Sequence, residues 1–519
     1  MGGGVKLNNM LQRFWIIGAI FCLGLFARAF EFGTLPPSLN QDEASIGYEA
    51  FSLLHFGKDH NGFSYPVHFV AWGGGQSVLY AYLAMPFVAA GLTPLNVRLP
   101  MLICGLLSIP LIYIVARRAF GETEGRVATL LLAISPWHVM LSRWALDANL
   151  LPFFFLLGYA CLLKSLEKEA WFIPACVFFA LSLYCYDVAF VAVPLFILLA
   201  TLIVLRAKRL GLKTAFAGAS LFILLSIPIA LYVAVNSLQL ATITLGVVSI
   251  PRLPAVPRYE SLSIFFRQNQ WQRLWHNFKV LGKILLLQTD GLPWNMMVRY
   301  GYLYKVTFPL AVGGIFWMVG AFIKQKARPE NLLLLLWIGV SLVIGVIQQA
   351  NVNRINLMFM PLILCVAFCL VKVNERLQGT LPVAVCLLLI GFFFFFRDYR
   401  TEQRAILNVE FYNGILPAMK VASQSPDTPV CVTNRIRMPY IYALFVEQTN
   451  PDDFQRSVVY SDPTAPFRRA ISFGRYTFGL KYCAQKPGQI FIISNKEPRP
   501  VTAAGFQVRK FDNFLVYLP

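Results

Sequence analysis

Charged residues are scarce in this chain of 519 residues: Asp, Glu, Lys and Arg make up only 13%, whereas apolar residues make up 57%. Mean hydropathy is +0.61. Soluble domains carry about 25% charged residues, so a soluble globular protein is excluded. The chain contains instead many apolar runs of roughly 20 residues, the length at which a helix crosses the hydrocarbon of a bilayer. The sequence therefore predicts an α-helical, polytopic membrane protein.

No cysteine or histidine residues in this sequence have the spacing of a metal-binding motif. Eight of the ten cysteines fall in apolar segments, where they are packing residues. The other two, Cys431 and Cys483, lie in the more polar tail and could pair; the sequence leaves this pairing open. No internal repeat and no nucleic-acid-binding module is present, so a nucleic-acid partner is excluded.

About eleven apolar segments fit transmembrane helices. They are 14–31, 97–116, 126–142, 149–163, 171–186, 188–205, 214–235, 303–323, 331–348, 356–371 and 380–396. If 76–91 is a surface helix, the short basic loops all lie on one side, as the positive-inside rule requires. This predicts a cytoplasmic N-terminus and an outer C-terminus. The first segment is predicted to be an uncleaved anchor, with a cleaved signal peptide ending near Ala27–Ala29 as the alternative.

Two outer loops and a tail stand apart from the membrane segments. Residues 32–96 contain a helical pattern that begins at Asp42, and residues 236–302 contain an amphipathic pattern with basic residues beside its apolar stripe. Residues 401–519 alternate short strand patterns with a helical one, which predicts a small α/β domain. The net charge of +20 exceeds what cytoplasmic loops explain and suits an anionic partner or lipid surface.

Polar residues gather at the predicted outer ends of the helices. Ionisable groups at membrane depth are costly and are functional candidates by default; helix caps and interfacial anchors are the alternative. Together with the adjacent acids in QDEAS, these turns predict one outward-facing site. The residues are Asp42, Glu43, Arg143, Asp147, Tyr184, Tyr186, Asp187, Asn351, Asn353 and Arg354.

Three motifs carry a resemblance to a known family. DEASIGYEA after the first helix, SRWALD after the third and NRINLMFMP before a late helix resemble those of GT-C fold glycosyltransferases that use polyprenyl-phosphate sugars. The pattern is most similar to protein O-mannosyltransferases and the bacterial lipid A aminoarabinose transferase. This resemblance implies that residues 1–400 form a GT-C transmembrane catalytic domain.

The resemblance also implies roles for the acids. Asp42 would be the base that takes the proton of the acceptor hydroxyl, in a single displacement that inverts the anomeric centre. Glu43 would hold the acceptor or raise the basicity of Asp42, with a helix cap as the equal alternative. Asp147 matches the second acidic position of the family.

Phosphate binding is expected at two places. Arg354 stands shortly before Pro361, as a basic or polar residue does in the family, and its fork suits phosphate oxygens. WGGGQS occupies the position where the family has a metal-binding acid, so we expect Gly75 and Gln76 to contact the donor phosphate, with a flexible loop as the alternative. No cofactor or metal is predicted to be required; a divalent metal is the alternative.

Sugar and acceptor contacts are expected from polar and aromatic side chains. Tyr184, Tyr186 and Asp187 replace a lysine-containing turn of the lipid A enzyme, and tyrosines with an aspartate suit sugar hydroxyls and rings. Asn353 and His276 complete the predicted set, although an isolated histidine on a surface helix is the commoner interpretation of His276.

The function expected from these features is transfer of a hexose or pentose from a polyprenyl phosphate to an envelope glycan, lipid or teichoic-type polymer outside the cell membrane. Protein O-glycosylation is the enzyme alternative. A transporter or flippase for a lipid-linked glycan is the alternative from another class; it would place acids within helices and repeat one half of the chain, which this sequence does not.

Overall fold

The computed structural model describes residues 2–254, 256–257, 259–260, 263–266, 268–483, 488–500 and 505–519, with side chains from residue 15 onward. Its helices are α1 (Gly2–Ala29), α2 (Gln41–Phe56), α3 (Leu79–Val88), α4 (Pro94–Ala119), α5 (Glu122–Ile134), α6 (Pro136–Leu141), α7 (Asp147–Ser165), α8 (Phe172–Ser182), α9 (Ala189–Arg206), α10 (Leu212–Ser237), α11 (Gln270–Leu287), α12 (Phe308–Ile323), α13 (Pro329–Ile347), α14 (Phe359–Arg376), α15 (Thr380–Arg400), α16 (Glu402–Glu410), α17 (Ile415–Ser423), α18 (Pro439–Glu447) and α19 (Pro451–Ser457).

Eight helices in the described part of the chain are long and apolar enough to cross a membrane. They are α4, α7, α9, α10, α12, α13, α14 and α15. In α12 and α14 the apolar segment includes the 3-10 turn that precedes the helix. Shorter apolar helices occupy Trp15–Ala29, Leu79–Val88 and Glu169–Ser182. Helices α7 and α14 are the most buried of the eight, whereas α12 and α15 are the most exposed. The bundle is that of a multi-pass membrane protein, with α7 and α14 at its centre.

The predicted span at 126–142 is divided into α5 and α6. Pro136 is the first residue of α6, where its missing N–H removes no helical hydrogen bond, and the Ser135 side chain accepts a hydrogen bond from the His138 amide. Helix α5 ends at Ile134, one residue before this cap. The periodic apolar pattern continued through the break, so hydropathy alone could not locate it.

Helices α2, of 16 residues, and α11, of 18 residues, lie against the bundle and are not among the eight candidate spans of the described chain. Helix α2 packs on α3, which in turn packs on α4. Helix α11 packs on α13 through its buried residues Leu281 and Ile284, while Trp271 and Trp275 are exposed. An exposed aromatic stripe beside lysines is typical of a helix in the membrane interface. The sequence predicted an interfacial helix in both segments; α11 fits this description, whereas residues Glu43 to Leu53 of α2 are all buried, since α2 packs on α3, α4 and α18.

The tail forms a seven-stranded mixed sheet in the order β10-β11-β9-β5-β8-β7-β6. Its strands are β5 (Val430–Val432), β6 (Val459–Tyr460), β7 (Ala470–Phe473), β8 (Tyr476–Phe478), β9 (Ile490–Ser494), β10 (Gln507–Phe511) and β11 (Phe514–Leu518). Two small hairpins elsewhere pair β1 (His68–Phe69) with β2 (Gln76–Ser77) and β3 (Ile243–Leu245) with β4 (Val248–Ile250).

The tail domain is joined to the bundle through α2. Helix α18 packs on α2, and the Tyr442 hydroxyl donates a hydrogen bond to the Leu39 carbonyl oxygen at 3.3 Å. Strand β5 is parallel to both β8 and β9. Cys431, in β5, forms a disulfide with Cys483, which follows β8. The tail therefore sits directly above the helix that carries the candidate acids.

Candidate active site

A cavity of about 790 Å³ lies between the end of the helix bundle and the tail domain. It is lined by residues from the α2 start, the α6–α7 turn, the loops before α14 and after α11, and the tail. These residues include Asn40, Gln41, Asp42, Gly73, Trp144, Leu146, Leu292, Trp294, Asn351, Asn353, Arg354, Glu410, Tyr412, Arg437 and Phe467. The structure thus brings together three of the polar turns that the sequence singled out.

Asp42 is held in this cavity by the cap of α2. The Asn40 side chain accepts a hydrogen bond from the Glu43 amide at 3.0 Å, and the Glu43 carboxylate accepts one from the Asn40 amide at 3.3 Å. This capping box sets the first turn, in which Asp42 points into the cavity. The Trp72 indole N–H donates to Asp42 Oδ1 at 2.8 Å and orients the carboxylate.

Glu43 is fully buried and faces away from the cavity. Arg98 forms a two-pronged contact with it, Nε to Oε1 at 2.7 Å and Nη2 to Oε2 at 2.8 Å. The Ala145 amide donates to the same Oε1 at 2.8 Å. Glu43 therefore caps α2, which is the alternative role considered from the sequence. Its hydrogen bond from the Ala145 amide also holds the α6–α7 turn against α2. A catalytic role for Glu43 stays a prediction.

Asp147 begins α7 and is also buried behind the cavity wall. Its Oδ2 accepts a hydrogen bond from the Ser77 amide at 3.1 Å and its Oδ1 accepts one from the Ala148 amide at 2.8 Å. Its neighbours Trp144 and Leu146 line the cavity. Asp147 thus ties the β1–β2 hairpin to the helix that supports this wall.

Arg354 and Asn353 lie on the turn before α14. The Arg354 amide donates to Asn351 Oδ1 at 2.9 Å, and Arg354 Nη1 donates to the Gln349 carbonyl oxygen at 2.7 Å. The Asp290 carboxylate fixes the same turn through the Val352 amide at 2.9 Å. Arg354 Nε is buried and has no hydrogen-bond partner within the described residues. Arg354 also lines the cavity, and an arginine in a cavity wall suits an anionic ligand.

The glycine run approaches the cavity only at its start. Gly73 lines the cavity, and its amide donates to the Pro466 carbonyl oxygen of the tail at 2.9 Å. Gly75 has φ +100°, and a Cβ there would lie 2.5 Å from the His68 ring, so this position requires glycine. Gln76 pairs with Phe69 in the hairpin and is buried. Neither Gly75 nor Gln76 is among the lining residues, so their predicted phosphate contact stays a prediction.

The remaining predicted sugar contacts lie elsewhere. Asp187 Oδ1 is 3.1 Å from His68 Nε2, and the His68 ring stacks on Tyr232. Tyr184 donates its hydroxyl hydrogen to the Leu225 carbonyl oxygen at 2.7 Å, and Tyr186 is buried. His276 lines a separate cavity of about 390 Å³ beside α11. The structure does not bring these four residues to the cavity of Asp42.

Sequence reasoning did not identify the contribution of the tail to the cavity. Glu410, Tyr412, Arg437 and Phe467 all line it. Burial raises the pKa of the Tyr412 phenol, which therefore remains protonated at neutral pH and accepts a hydrogen bond from the Arg437 amide at 3.2 Å. No local motif marks these positions, because they reach the cavity only when the tail packs on α2.

The described residues contain no group of three or more His, Cys, Asp or Glu side chains arranged to hold a metal ion. The acids that line the cavity in this part of the chain are Asp42 and Glu410. Metal independence stays a prediction.

Part of the chain is similar to known protein sequences. Residues 76–232 match the sequence model of a family described as dolichyl-phosphate-mannose-protein mannosyltransferase. A Bacillus subtilis protein named "Putative mannosyltransferase YycA" is 31% identical over 150 residues, which are 27% of this chain and 21% of that protein. The matched part of the chain therefore spans about a fifth of that curated relative.

Two solved structures share the architecture. ArnT from Cupriavidus metallidurans, bound to undecaprenyl phosphate, superposes with a TM-score of 0.57 at 14% identity, covering 98% of each chain. The Archaeoglobus fulgidus oligosaccharyltransferase AglB, in complex with an inhibitory peptide and a dolichol phosphate, gives a TM-score of 0.52 at 10% identity and covers 98% of this chain and 74% of that one. The chain has the GT-C fold with a small C-terminal sheet domain, which confirms the predicted fold class; the eleven predicted spans and their orientation stay predictions.

Proposed function

We propose that this protein is an inverting glycosyltransferase that moves a sugar from a polyprenyl phosphate to an acceptor outside the cell membrane. The observation that carries the proposal is one cavity, at the end of a GT-C bundle, that is lined by both an oriented carboxylate and an arginine. These are the two groups that the reaction requires, a base for the acceptor and a cation for the leaving phosphate.

Asp42 is the base of the proposed reaction. The acceptor oxygen forms a bond to the anomeric carbon as the bond from that carbon to the phosphate oxygen breaks. The acceptor proton passes to the Asp42 carboxylate, and polyprenyl phosphate leaves with the electron pair. The Trp72 N–H holds one carboxylate oxygen at 2.8 Å, which limits rotation of the side chain and favours a single attack geometry.

Arg354 stabilises the charge that develops on the departing phosphate. Its guanidinium is anchored through Nη1 to the Gln349 carbonyl oxygen, and the side chain lines the cavity. Arginine suits this place because its planar fork matches phosphate oxygens. Trp294 and Leu292 line the same cavity and offer apolar surface for the sugar ring or the prenyl chain.

Two features support an extracytoplasmic site. The Cys431–Cys483 disulfide belongs to the domain that closes the cavity, and disulfides persist in oxidising compartments. The short basic loops counted in the sequence place the opposite end of the bundle in the cytoplasm. The proposed acceptor is an envelope glycan, lipid or teichoic-type polymer. The family description that matches residues 76–232 favours protein as the alternative acceptor.

The test is sugar transfer by the purified full-length protein in nanodiscs. Wild type and Asp42→Asn are offered undecaprenyl phosphates carrying mannose, another hexose or a pentose, together with envelope glycans, lipids and a peptide. Released undecaprenyl phosphate and glycosylated product are both measured. Loss of a general base lowers rates by about 10²–10⁴-fold, which is the expected result for Asp42→Asn.

Asp453→Asn is the matched control. Asp453 is exposed on α19 and pairs with Arg456, so the same substitution there should leave the rate unchanged. Equal rates for wild type and Asp42→Asn would remove Asp42 as the base. Movement of a lipid-linked glycan across vesicles, without transfer by any donor and acceptor pair, would replace the enzyme with a transporter.

A further inference from the structure

A second cleft, of about 590 Å³, opens in the tail domain beside the Asp42 cavity. Arg435 and Arg437 enter it from the loop between β5 and α18, Arg469 from the residue before β7, and Lys481 from the turn after β8. Among the residues that the structure describes, its lining contains no acidic side chain. The cleft therefore carries four positive charges, of which Arg435 alone lies near a carboxylate, that of Glu497.

The cations of this cleft are open to solvent. Arg437, Arg469 and Lys481 are exposed, and within the described part of the chain none of them forms an ion pair. Arg435 lies 3.6 Å from Glu497, with its side chain 57% exposed. Four like charges in one concave surface repel one another and focus a positive potential, which attracts an anionic ligand.

The cleft also occupies a place in the sheet where ligands commonly bind. Strands β5 and β8 are parallel, so the β5–α18 loop and the turn after β8 lie at the same, carboxyl edge. Crevices outside the carboxyl ends of parallel strands are the usual ligand sites of open α/β sheets. The Cys431–Cys483 disulfide links β5 to the end of the Lys481 turn and holds the two walls together.

The cleft borders the Asp42 cavity. Gln41, Arg437 and Phe467 line both spaces. Trp72, which lines the cleft, is the residue whose indole N–H orients Asp42. A chain lying in the cleft would therefore reach the proposed base at the point where the two spaces meet.

We propose that this cleft binds the acceptor, and that the acceptor is a glycan or polyol polymer bearing phosphate groups. The inference rests on the proposed function, because it assigns the second substrate of the same site. Arginine forks bind phosphate oxygens in pairs, and three of the four cations are arginines. Trp72 and Tyr482 supply aromatic faces for sugar rings between the charges.

Binding of a defined polymer tests the proposal without any donor. The probe is an end-labelled poly(glycerol phosphate) oligomer, followed by fluorescence anisotropy with the full-length protein in nanodiscs of zwitterionic lipid. Arg469→Gln/Lys481→Gln is expected to weaken binding at least tenfold. Arg509→Gln/Lys510→Gln removes the same two charges from β10 in the same domain, and it is expected to change binding less than twofold.

Three results would overturn the proposal: no binding of the oligomer by wild type, equal weakening by both double variants, or equally strong binding of an uncharged dextran oligomer. Competition by nanodiscs containing phosphatidylglycerol but not by excess unlabelled oligomer would assign the cleft to lipid headgroups and would also overturn it. Displacement by poly-glutamate but not by the unlabelled oligomer would assign it to an acidic protein.

Binding and transfer separate the two proposals. If the oligomer binds as expected but no polyprenyl-phosphate sugar is transferred to any acceptor, the proposed function fails and the anion cleft stands. If a sugar is transferred to a neutral acceptor while the oligomer does not bind, the proposed function stands and the acceptor inference fails.

Discussion

Arginines at two neighbouring places in this protein have opposite surroundings. Below the Asp42 cavity, Arg98 and Arg143 are buried, and their N–H groups donate hydrogen bonds to other residues of the protein. Arg143 donates to the carbonyl oxygens of Ala27, Arg28, Phe30 and Glu31 and, through Nε, to that of Leu35. Above the cavity, Arg437 and Arg469 are exposed on the walls of open spaces.

This difference separates structural from ligand-binding cations. A buried charge is tolerated only when its partners are complete, so Arg98 and Arg143 hold the chain segment between α1 and α2 in one conformation. That segment carries Asn40 and hence the cap that places Asp42. An exposed, unpaired arginine contributes little to the fold and retains its donors for a ligand. Burial and partner count therefore distinguish the two roles where residue type does not.

The largest effect on stability is expected from breaking the buried ion pair between Arg98 and Glu43. Arg98→Met leaves the fully buried Glu43 carboxylate without its cation, which costs about 3–5 kcal/mol of folding free energy. Thermal unfolding in nanodiscs, followed by tryptophan fluorescence, measures the loss. Glu43→Gln/Arg98→Met removes both charges and should recover part of it. A stability for Arg98→Met equal to that of wild type would contradict a structural role for the pair.

A substitution of Arg354, in the cavity, should lower activity and leave stability unchanged. Arg354→Gln is expected to lower the turnover of sugar transfer by roughly 10²-fold, because a donor to the leaving phosphate is lost, while the unfolding temperature stays near that of wild type. Arg354→Lys keeps the charge without the fork and should fall between the two. The control is Arg328→Gln, at an exposed ion pair with Glu330. Unchanged turnover in Arg354→Gln would remove Arg354 from phosphate binding.

A smaller effect is expected where α2 meets the tail. Asp59 is buried beside Glu49 and His60, and burial, with the Glu49 carboxylate second, raises the pKa of Asp59 to about 7. A carboxyl with a raised pKa stabilises the folded state in its protonated form, and this contribution disappears as pH rises through about 7. Because the carboxyl ionises near its ordinary pKa in the unfolded chain, the unfolding temperature should fall between about pH 4 and pH 7 and level off above pH 7.

Asp59→Asn is the variant that isolates this effect. An amide keeps the acceptor for the Asn61 and Phe63 amides, at 2.9 and 2.8 Å, and cannot ionise. Its unfolding temperature should vary less with pH than that of wild type over this range. The control, Asp452→Asn, replaces an exposed acid that pairs with Lys58 at the same interface. An identical pH dependence in wild type and Asp59→Asn would show that Asp59 does not titrate in this range.

The sequence by itself determined the membrane bundle, the surface helices, the α/β tail and the candidacy of Asp42 and Arg354. These features follow from local properties: an apolar run long enough to span hydrocarbon, a 3.6-residue stripe, or a polar turn between two apolar segments. The sequence did not predict the break between α5 and α6 at Ser135, because the apolar pattern continues through it.

Only the tertiary structure decided which polar residues share a site. Glu43 meets Arg98, 55 residues away, and Asp187 meets His68, 119 residues away, so neither reaches the cavity of Asp42. Arg437 reaches it because α18 packs on α2. Such partners are set by how distant elements pack, and the cost of burying an unpaired charge selects among the possible pairings. That selection involves residues far apart in the chain, so no local pattern in the sequence records it.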